Sequence, residues 1–166
     1  MLIINDISLR IAGRLLLDHA SLTLPAGTKA GLVGRNGTGK TTLFKAITGD
    51  LATETGSISL PKNLRIGQVA QEAPGTEEPL IGLGFDDAAQ KRPASSFSGG
   101  WRMRVALAAV LFSEPDLLLL DEPTNYLDLE GTLWLETYVA KYPHTVLLIS
   151  HDRDLLNRAV NSIVHL

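Results

Sequence analysis

The sequence predicts an α/β fold, a parallel sheet flanked by helices, with an antiparallel β-subdomain at its N-terminal end. Three observations carry this expectation. Gly34 to Thr42 reads G-R-N-G-T-G-K-T-T and fits a phosphate-binding loop, with Gly34, Gly39, Lys40 and Thr41 at the fixed places. The apolar run Ala30 to Val33 precedes it and Leu43 to Ile47 continues it, which is the strand–loop–helix setting such a loop requires. Beyond residue 28, short apolar runs alternate with helical periodicity, the pattern of a parallel sheet.

The elements follow in order. Met1 to Ala12 alternates loosely and predicts a half-exposed strand. Arg14 to Leu17 and Ser21 to Leu24 predict two further short strands, and Pro25-Ala26-Gly27 a turn, so an antiparallel sheet is expected beside the phosphate loop. Lys29 to Val33 enters the core. Gly56 to Leu60 and Leu64 to Val69 predict a strand pair around Pro61-Lys62-Asn63. From Glu72 to Ser96 the periodicity lapses: Pro and Gly interrupt it, and Leu80 to Phe85 is too Gly-rich to assign. Trp101 to Phe112 places Trp101, Val105, Ala108 and Phe112 at helical spacing, and Pro115 stops it. Leu117 to Leu120 is a continuous apolar run ending in acid, the mark of a strand buried on both faces. A helix over Leu129 to Tyr142, a strand over Thr145 to Ile149, a helix capped by Asp152 reaching about Val160, and a strand from Ser162 to Leu166 complete the chain.

Length and composition bound the function. A chain of 166 residues, 45% hydrophobic and 20% charged, is expected to form one globular domain with a sizeable core. A net charge of −3 argues against a broad basic face for nucleic acid, and no DNA-binding motif is found. There are no cysteines, which removes disulfides and thiolate metal sites. No apolar run is long enough to span a bilayer, and the N-terminal residues lack the basic start of a signal peptide.

The chemistry of the loop is direct. Glycines let the backbone curl so that several N–H groups of Gly34, Arg35, Asn36, Gly37, Thr38 and Gly39 converge on a polyphosphate, and the helix start adds its positive end. Lys40 brings a mobile point charge to the outer phosphates, and Thr41 a hydroxyl for Mg²⁺, with Thr42 following. A second element completes the set. Leu117 to Leu120 delivers Asp121 and Glu122 to the carboxyl end of a buried strand, at the mouth of the site. Asp121 is expected to hold Mg²⁺ opposite Thr41, and Glu122 to polarise the attacking water. His151 follows a strand and is expected at the same sheet edge, near the γ-phosphate.

Ser98-Gly99-Gly100-Trp101-Arg102-Met103-Arg104 resembles the signature of the ABC ATPases. Asp121-Glu122-Pro123-Thr124-Asn125-Tyr126-Leu127-Asp128 resembles their Walker B and D-loop, Ile149 to Arg153 their switch-histidine segment, and Gln71 stands at the Q-loop glutamine. Trp101 after the double glycine, T-N-Y-L-D at Thr124 to Asp128 and S-H-D-R-D-L-L-N at Ser150 to Asn157 resemble the soluble ABC-F group. The resemblance implies a P-loop NTPase core, an ATPase using ATP and Mg²⁺, catalytic roles for Glu122, His151 and Gln71, and a cytoplasmic protein with two cassettes in one chain. Gln71 would join Thr41 and Asp121 at the metal. Ser98, Gly99, Gly100 and Asp128 would act on the nucleotide of a partner cassette, so hydrolysis is expected to be efficient only in a pair. Many members act on ribosomes, which makes the ribosome the implied target. Arg102 and Arg104 read as a solvated helix face rather than an RNA contact.

Three departures accompany the resemblance. The segment from Gln71 to Ser98 is far shorter than the family's helical subdomain, so residues are expected to be absent between about Pro79 and Gly82, either deleted or hidden by renumbering. Residues 1–166 thus read as one incomplete cassette. No second cassette follows His151 in this sequence. No aromatic residue lies in Arg10 to Arg14, where transporter cassettes stack adenine, and Ile11 offers only apolar contact. Two other readings compete: the nucleotide-binding subunit of a transporter, and a fragment that binds nucleotide without cleaving it. No Asn-Lys-x-Asp guanine motif is present, which disfavours a small G protein.

Overall fold

The computed structural model describes residues 1–69, 99–125 and 127–166, with side chains described for all of these except 99–103. Expectations about Gln71, Ser98, Trp101, Arg102 and the shortened segment around Pro79 to Gly82 lie outside the described residues or side chains.

Two sheets form the body. Strands β1 (Leu2–Ile11), β2 (Arg14–Leu24) and β4 (Thr55–Ser59) make an antiparallel sheet in the order β2-β1-β4. Strands β3 (Lys29–Val33), β5 (Ile66–Val69), β6 (Leu117–Asp121), β7 (Thr145–Ile149) and β8 (Ser162–His165) make a parallel sheet in the order β5-β6-β7-β3-β8. Helices α1 (Lys40–Thr48), α2 (Gly99–Phe112), α3 (Leu129–Lys141) and α4 (Arg153–Ala159) accompany it.

The parallel sheet is covered on both sides, and its central strands show why. Side chains alternate between faces with period two. Leu117, Leu119, Leu147 and Ile149 join α1 and the antiparallel sheet in one apolar cluster, which contains Phe44, Ile7 and Leu9. Leu118, Leu120, Val146 and Leu148 join α2, α3 and α4 in a second, which contains Leu107, Leu135 and Leu155. Every residue of β6 and β7 is buried. A strand with oil on both sides must be apolar along its covered length, so Leu117–Leu120 and Val146–Ile149 are continuous runs and not alternating ones. This packing holds the carboxyl ends of β3, β6 and β7 side by side.

Two sequence expectations need correction. The segment after the first turn is one strand, β2, and not two. It continues through Asp18-His19-Ala20, and the ladder with β1 absorbs the polar stretch by shifting register between Ile4 and Ile7 and between Ile7 and Leu9. Asp6 and His19 take left-handed backbone angles there, at φ 52° and 50°, as bulged residues do. Likewise β4 and β5 do not pair with each other. β4 pairs with β1 and β5 with β6. The Pro61-Lys62-Asn63 turn, with Asn63 at φ 63°, carries the chain from one sheet to the other. Arg65 then clamps β5 in its place: its backbone N–H and guanidinium donate to Asp116, which lies just before β6.

Candidate functional site

The loop between β3 and α1 is shaped by its own hydrogen bonds. Gly39 closes it at φ 98°, a left-handed angle that side chains resist, and its carbonyl accepts the first helical bond from Leu43 at 2.8 Å. Thr38 turns back, its hydroxyl donating to the Arg35 carbonyl at 2.9 Å. The Lys40 ammonium is buried and donates to the carbonyls of Gly34 at 2.8 Å and Arg35 at 2.9 Å. The loop therefore holds its curl around the Lys40 side chain.

β6 brings the acids. Asp121 is 1% exposed, and its Oδ2 accepts from the Thr41 hydroxyl at 2.7 Å. Burial raises the Asp121 carboxyl above its usual range, against the lowering effects of the Thr41 bond and the Lys40 charge. Glu122 leaves the strand with φ 49°, a left-handed angle for a residue with a side chain. Its backbone N–H remains bonded to the Ile149 carbonyl at 2.9 Å, so the bend is anchored to β7. The bend swings the Glu122 carboxylate to His151: Oε1 lies 3.2 Å from Nε2, and Oε2 accepts from the His151 backbone N–H at 3.3 Å. Burial raises the Glu122 pKa, and the His151 charge and N–H oppose it. The neighbouring Asp152 caps α4, accepting from the N–H groups of Asp154 and Leu155, and so fixes the chain directly after His151.

These groups share one cavity of about 650 Å³, lined by Asn36, Gly37, Gly39, Lys40, Thr41, Thr42, Asp121, Glu122 and His151, with Asn125 and Ile149 beside them and Ile11, Arg14 and Leu16 along another part of its wall. Lys40 and Glu122 thus face the same space. Thr41 and Asp121 offer two hard oxygens side by side, the donor chemistry of Mg²⁺. Among the described residues no cluster of three His, Cys, Asp or Glu side chains forms a cage of its own, as suits an ion held largely by water and phosphate.

Other expected residues lie elsewhere. Gly99 and Gly100 open α2. Asp128 caps α3 through a 2.9 Å bond from the Gly131 N–H and pairs with Arg104 at 3.0 Å. The Gly131 bond first, and then Arg104, hold its carboxyl below the usual range. Arg104, expected on a solvated face, thus joins α2 to the start of α3. Reading the sequence missed Asn125, Arg14 and Leu16. Asn125 had a signal, standing four residues past Asp121 within a loop anchored by its own N–H on the Glu122 carbonyl at 3.3 Å. Arg14 had a weak one, as the end of the stretch Arg10 to Arg14 singled out for its lack of an aromatic residue, and Leu16 had none, because only the hairpin geometry brings it to the cavity.

Comparison with known proteins agrees with this geometry. The family model described as ABC transporter matches residues 17–77 and 65–125. The chain is 34% identical to the probable ATP-binding protein YheS of Escherichia coli (strain K12), over an alignment of 219 residues covering all of this chain and 34% of that protein. It is 35% identical to ATP-binding cassette sub-family F member 3 of Homo sapiens, covering 98% of this chain and 31% of that one. The chain therefore spans about a third of the length of these relatives. The alignment with the bacterial relative is longer than the 166 residues present here, so that relative carries residues without a counterpart in this chain. In fold it resembles the ATP binding subunit of an ABC transporter, with a TM-score of 0.85 at 21% identity, over 99% of this chain and 85% of that one. No described helix is long and apolar enough to cross a membrane. A curled loop and a strand-end acid pair on one cavity, and a family model matching most of the chain, lead to one conclusion: the chain belongs to the ABC transporter family, as an ATP-binding domain similar to those of sub-family F.

Proposed function

We propose that this domain binds and hydrolyses ATP as one cassette of an ABC-F protein in the cytoplasm, acting on the ribosome in translation. The observation that carries the hydrolytic part is the meeting of Lys40, Thr41, Asp121, Glu122 and His151 on one cavity. The loop amides from Gly34 to Gly39 and the Lys40 ammonium bind the phosphates, and Lys40 exchanges its loop carbonyls for phosphate oxygens. Thr41 and Asp121 would hold Mg²⁺, which supplies charge neutralisation at the outer phosphates when bound. Glu122 takes a proton from water as the water oxygen bonds to the γ-phosphorus and the bond to the bridging oxygen breaks, releasing ADP and phosphate. His151 holds the Glu122 carboxylate in position and faces the same space.

The raised Glu122 pKa suits that task, because a stronger base accepts the proton more readily at neutral pH. Ser98, Gly99, Gly100 and Asp128 are assigned to the nucleotide of a second cassette, and Gln71 to the metal and water of this one. The position of Gly99 and Gly100 at the start of a helix supports that assignment. The relatives' alignments are longer than this chain, which is compatible with residues absent from the segment around Pro79 to Gly82, by deletion or otherwise. ATP turnover of the wild-type chain and of Glu122→Gln, measured across a range of protein concentration, tests the reading. Loss of turnover in the variant, and specific activity rising with concentration, are expected. Equal rates in the two proteins would remove Glu122 from catalysis, and a flat concentration profile would remove the partner.

A further inference from the structure

The outer face of α3 carries a row of residues that the core does not use. Leu135, Glu136 and Val139 turn inward and are buried. Glu130, Trp134, Thr137 and Lys141 stand at i, i+4, i+7 and i+11, which sets them in one stripe along the helix, and all four are exposed. Trp134 keeps 51% of its surface exposed, and Leu133, on the flank of the stripe, 43%. Beside the stripe runs a groove of about 540 Å³ between α2 and α3, with Leu107, Leu111, Phe112, Trp134 and Tyr138 in its walls. Phe112 is 72% exposed there. None of the described residues lining this groove lines the phosphate-loop cavity.

Apolar surface gathered in one place and rimmed by charge marks a contact with another surface. The stripe itself says which surface fits. Its ends carry opposite charge, Glu130 in the first turn of α3 and Lys141 in the last. Neither side chain makes an ion pair or hydrogen bond among the described residues. The order is also symmetric. Glu130 lies as far before the midpoint of the stripe as Lys141 lies after it, and Trp134 as far before as Thr137 after. If two copies of α3 pack antiparallel about a two-fold axis at that midpoint, Glu130 of each copy meets Lys141 of the other, and Trp134 of each meets Thr137 of the other. Parallel packing would set Glu130 against Glu130 and Lys141 against Lys141. The Thr137 hydroxyl already donates to the Leu133 carbonyl at 3.0 Å, so covering it leaves no donor unmet. The same axis brings the two grooves together on one side of the helix pair and covers Phe112.

We infer that the outer face of α3, with the α2–α3 groove, is an interface between two copies of this chain, related by a two-fold axis between Trp134 and Thr137. It lies apart from the phosphate loop and forms without nucleotide. One helix face and one groove bury less than a permanent dimer does, which sets an affinity of about 1–100 µM. The test is analytical ultracentrifugation of the full chain without nucleotide, where the mean mass should rise with concentration from the 17.9 kDa of one chain toward twice that value. Glu130→Lys and Lys141→Glu each set like charges opposite one another and weaken association about tenfold or more. An equimolar mixture of these two variants restores it to within about threefold, because every Lys then meets a Glu, and so shows that both are folded. Trp134→Ala weakens association about tenfold or more. A chain that stays monomeric at about 1 mM would give this face to a different protein and overturn the proposal. Association that requires ATP, or that Lys40→Ala abolishes, would belong to the phosphate-loop side and overturn it likewise. A mixture no tighter than its parts would overturn the antiparallel register, and indifference to Trp134→Ala would overturn the face itself.

Discussion

At one end of the cavity Lys40, Thr41, Asp121, Glu122 and His151 are tied by contacts of 2.7 to 3.3 Å and backed by strands buried on both faces. At the other end Ile11 and Arg14 stand on a two-residue turn, exposed, with nothing wired to the guanidinium among the described residues. The difference reflects what each end must hold. Under the proposed function the first end would hold phosphate, metal and water, which demand particular atoms at particular places, and the backbone there is bent, with Glu122 at φ 49°. Precision is concentrated where bonds are to be broken.

The largest effect should come from the wired end. Glu122→Gln keeps the shape and removes the base, and steady-state turnover is expected to fall about 10²- to 10⁴-fold. A milder loss would place the precision elsewhere. Leu119→Ala, at a residue with 0% exposure, tests the support beneath that end. It should cost about 2–5 kcal/mol in a urea titration. Ile11→Ala, at 42% exposure on the other end, should stay within about 0.5 kcal/mol. Similar costs at both sites would erase the contrast.

Asp152→Ala removes the α4 cap that follows His151 and should cost about 1 kcal/mol, read in the same titration. A further effect carries an opposite sign. Burial raises the Asp121 pKa above 3.8, so at neutral pH the ionised folded state bears a penalty that the unfolded chain does not. Asp121→Asn is expected to raise Tm at pH 7 by about 2–4 °C. That gain should fade as pH falls through the raised pKa toward 3.8, where both states are protonated. A gain constant with pH would assign the effect to packing.

The legible and illegible parts of this molecule divide along the same line. Gly34 to Thr42, Asp121, Glu122 and His151 could be placed from sequence because their chemistry fixes both residue type and neighbours, and β6 and β7 because burial on two faces leaves only apolar runs. The path of β2 through Asp18-His19-Ala20 could not, since a bulge lets polar residues stand in a strand without breaking it. The partners of β4 and β5 were hidden for a different reason. Adjacent strands invite a hairpin, whereas β5 pairs with β6 in the other sheet and is clamped there by Arg65 and Asp116, 51 positions apart in sequence. Leu16 became visible only when the hairpin was seated on α1.

The alternation along β6 has a consequence for how this domain can change. Leu117 and Leu119 serve one core and Leu118 and Leu120 the other, with Asp121 the next step of that sequence. One amino acid inserted ahead of Asp121 would exchange the two sets and turn the carboxylate away from Thr41. Relatives align to this chain across many positions that it does without. Gain and loss within this strand are a matter of parity and place rather than of quantity: a single extra residue here would part Asp121 from Thr41.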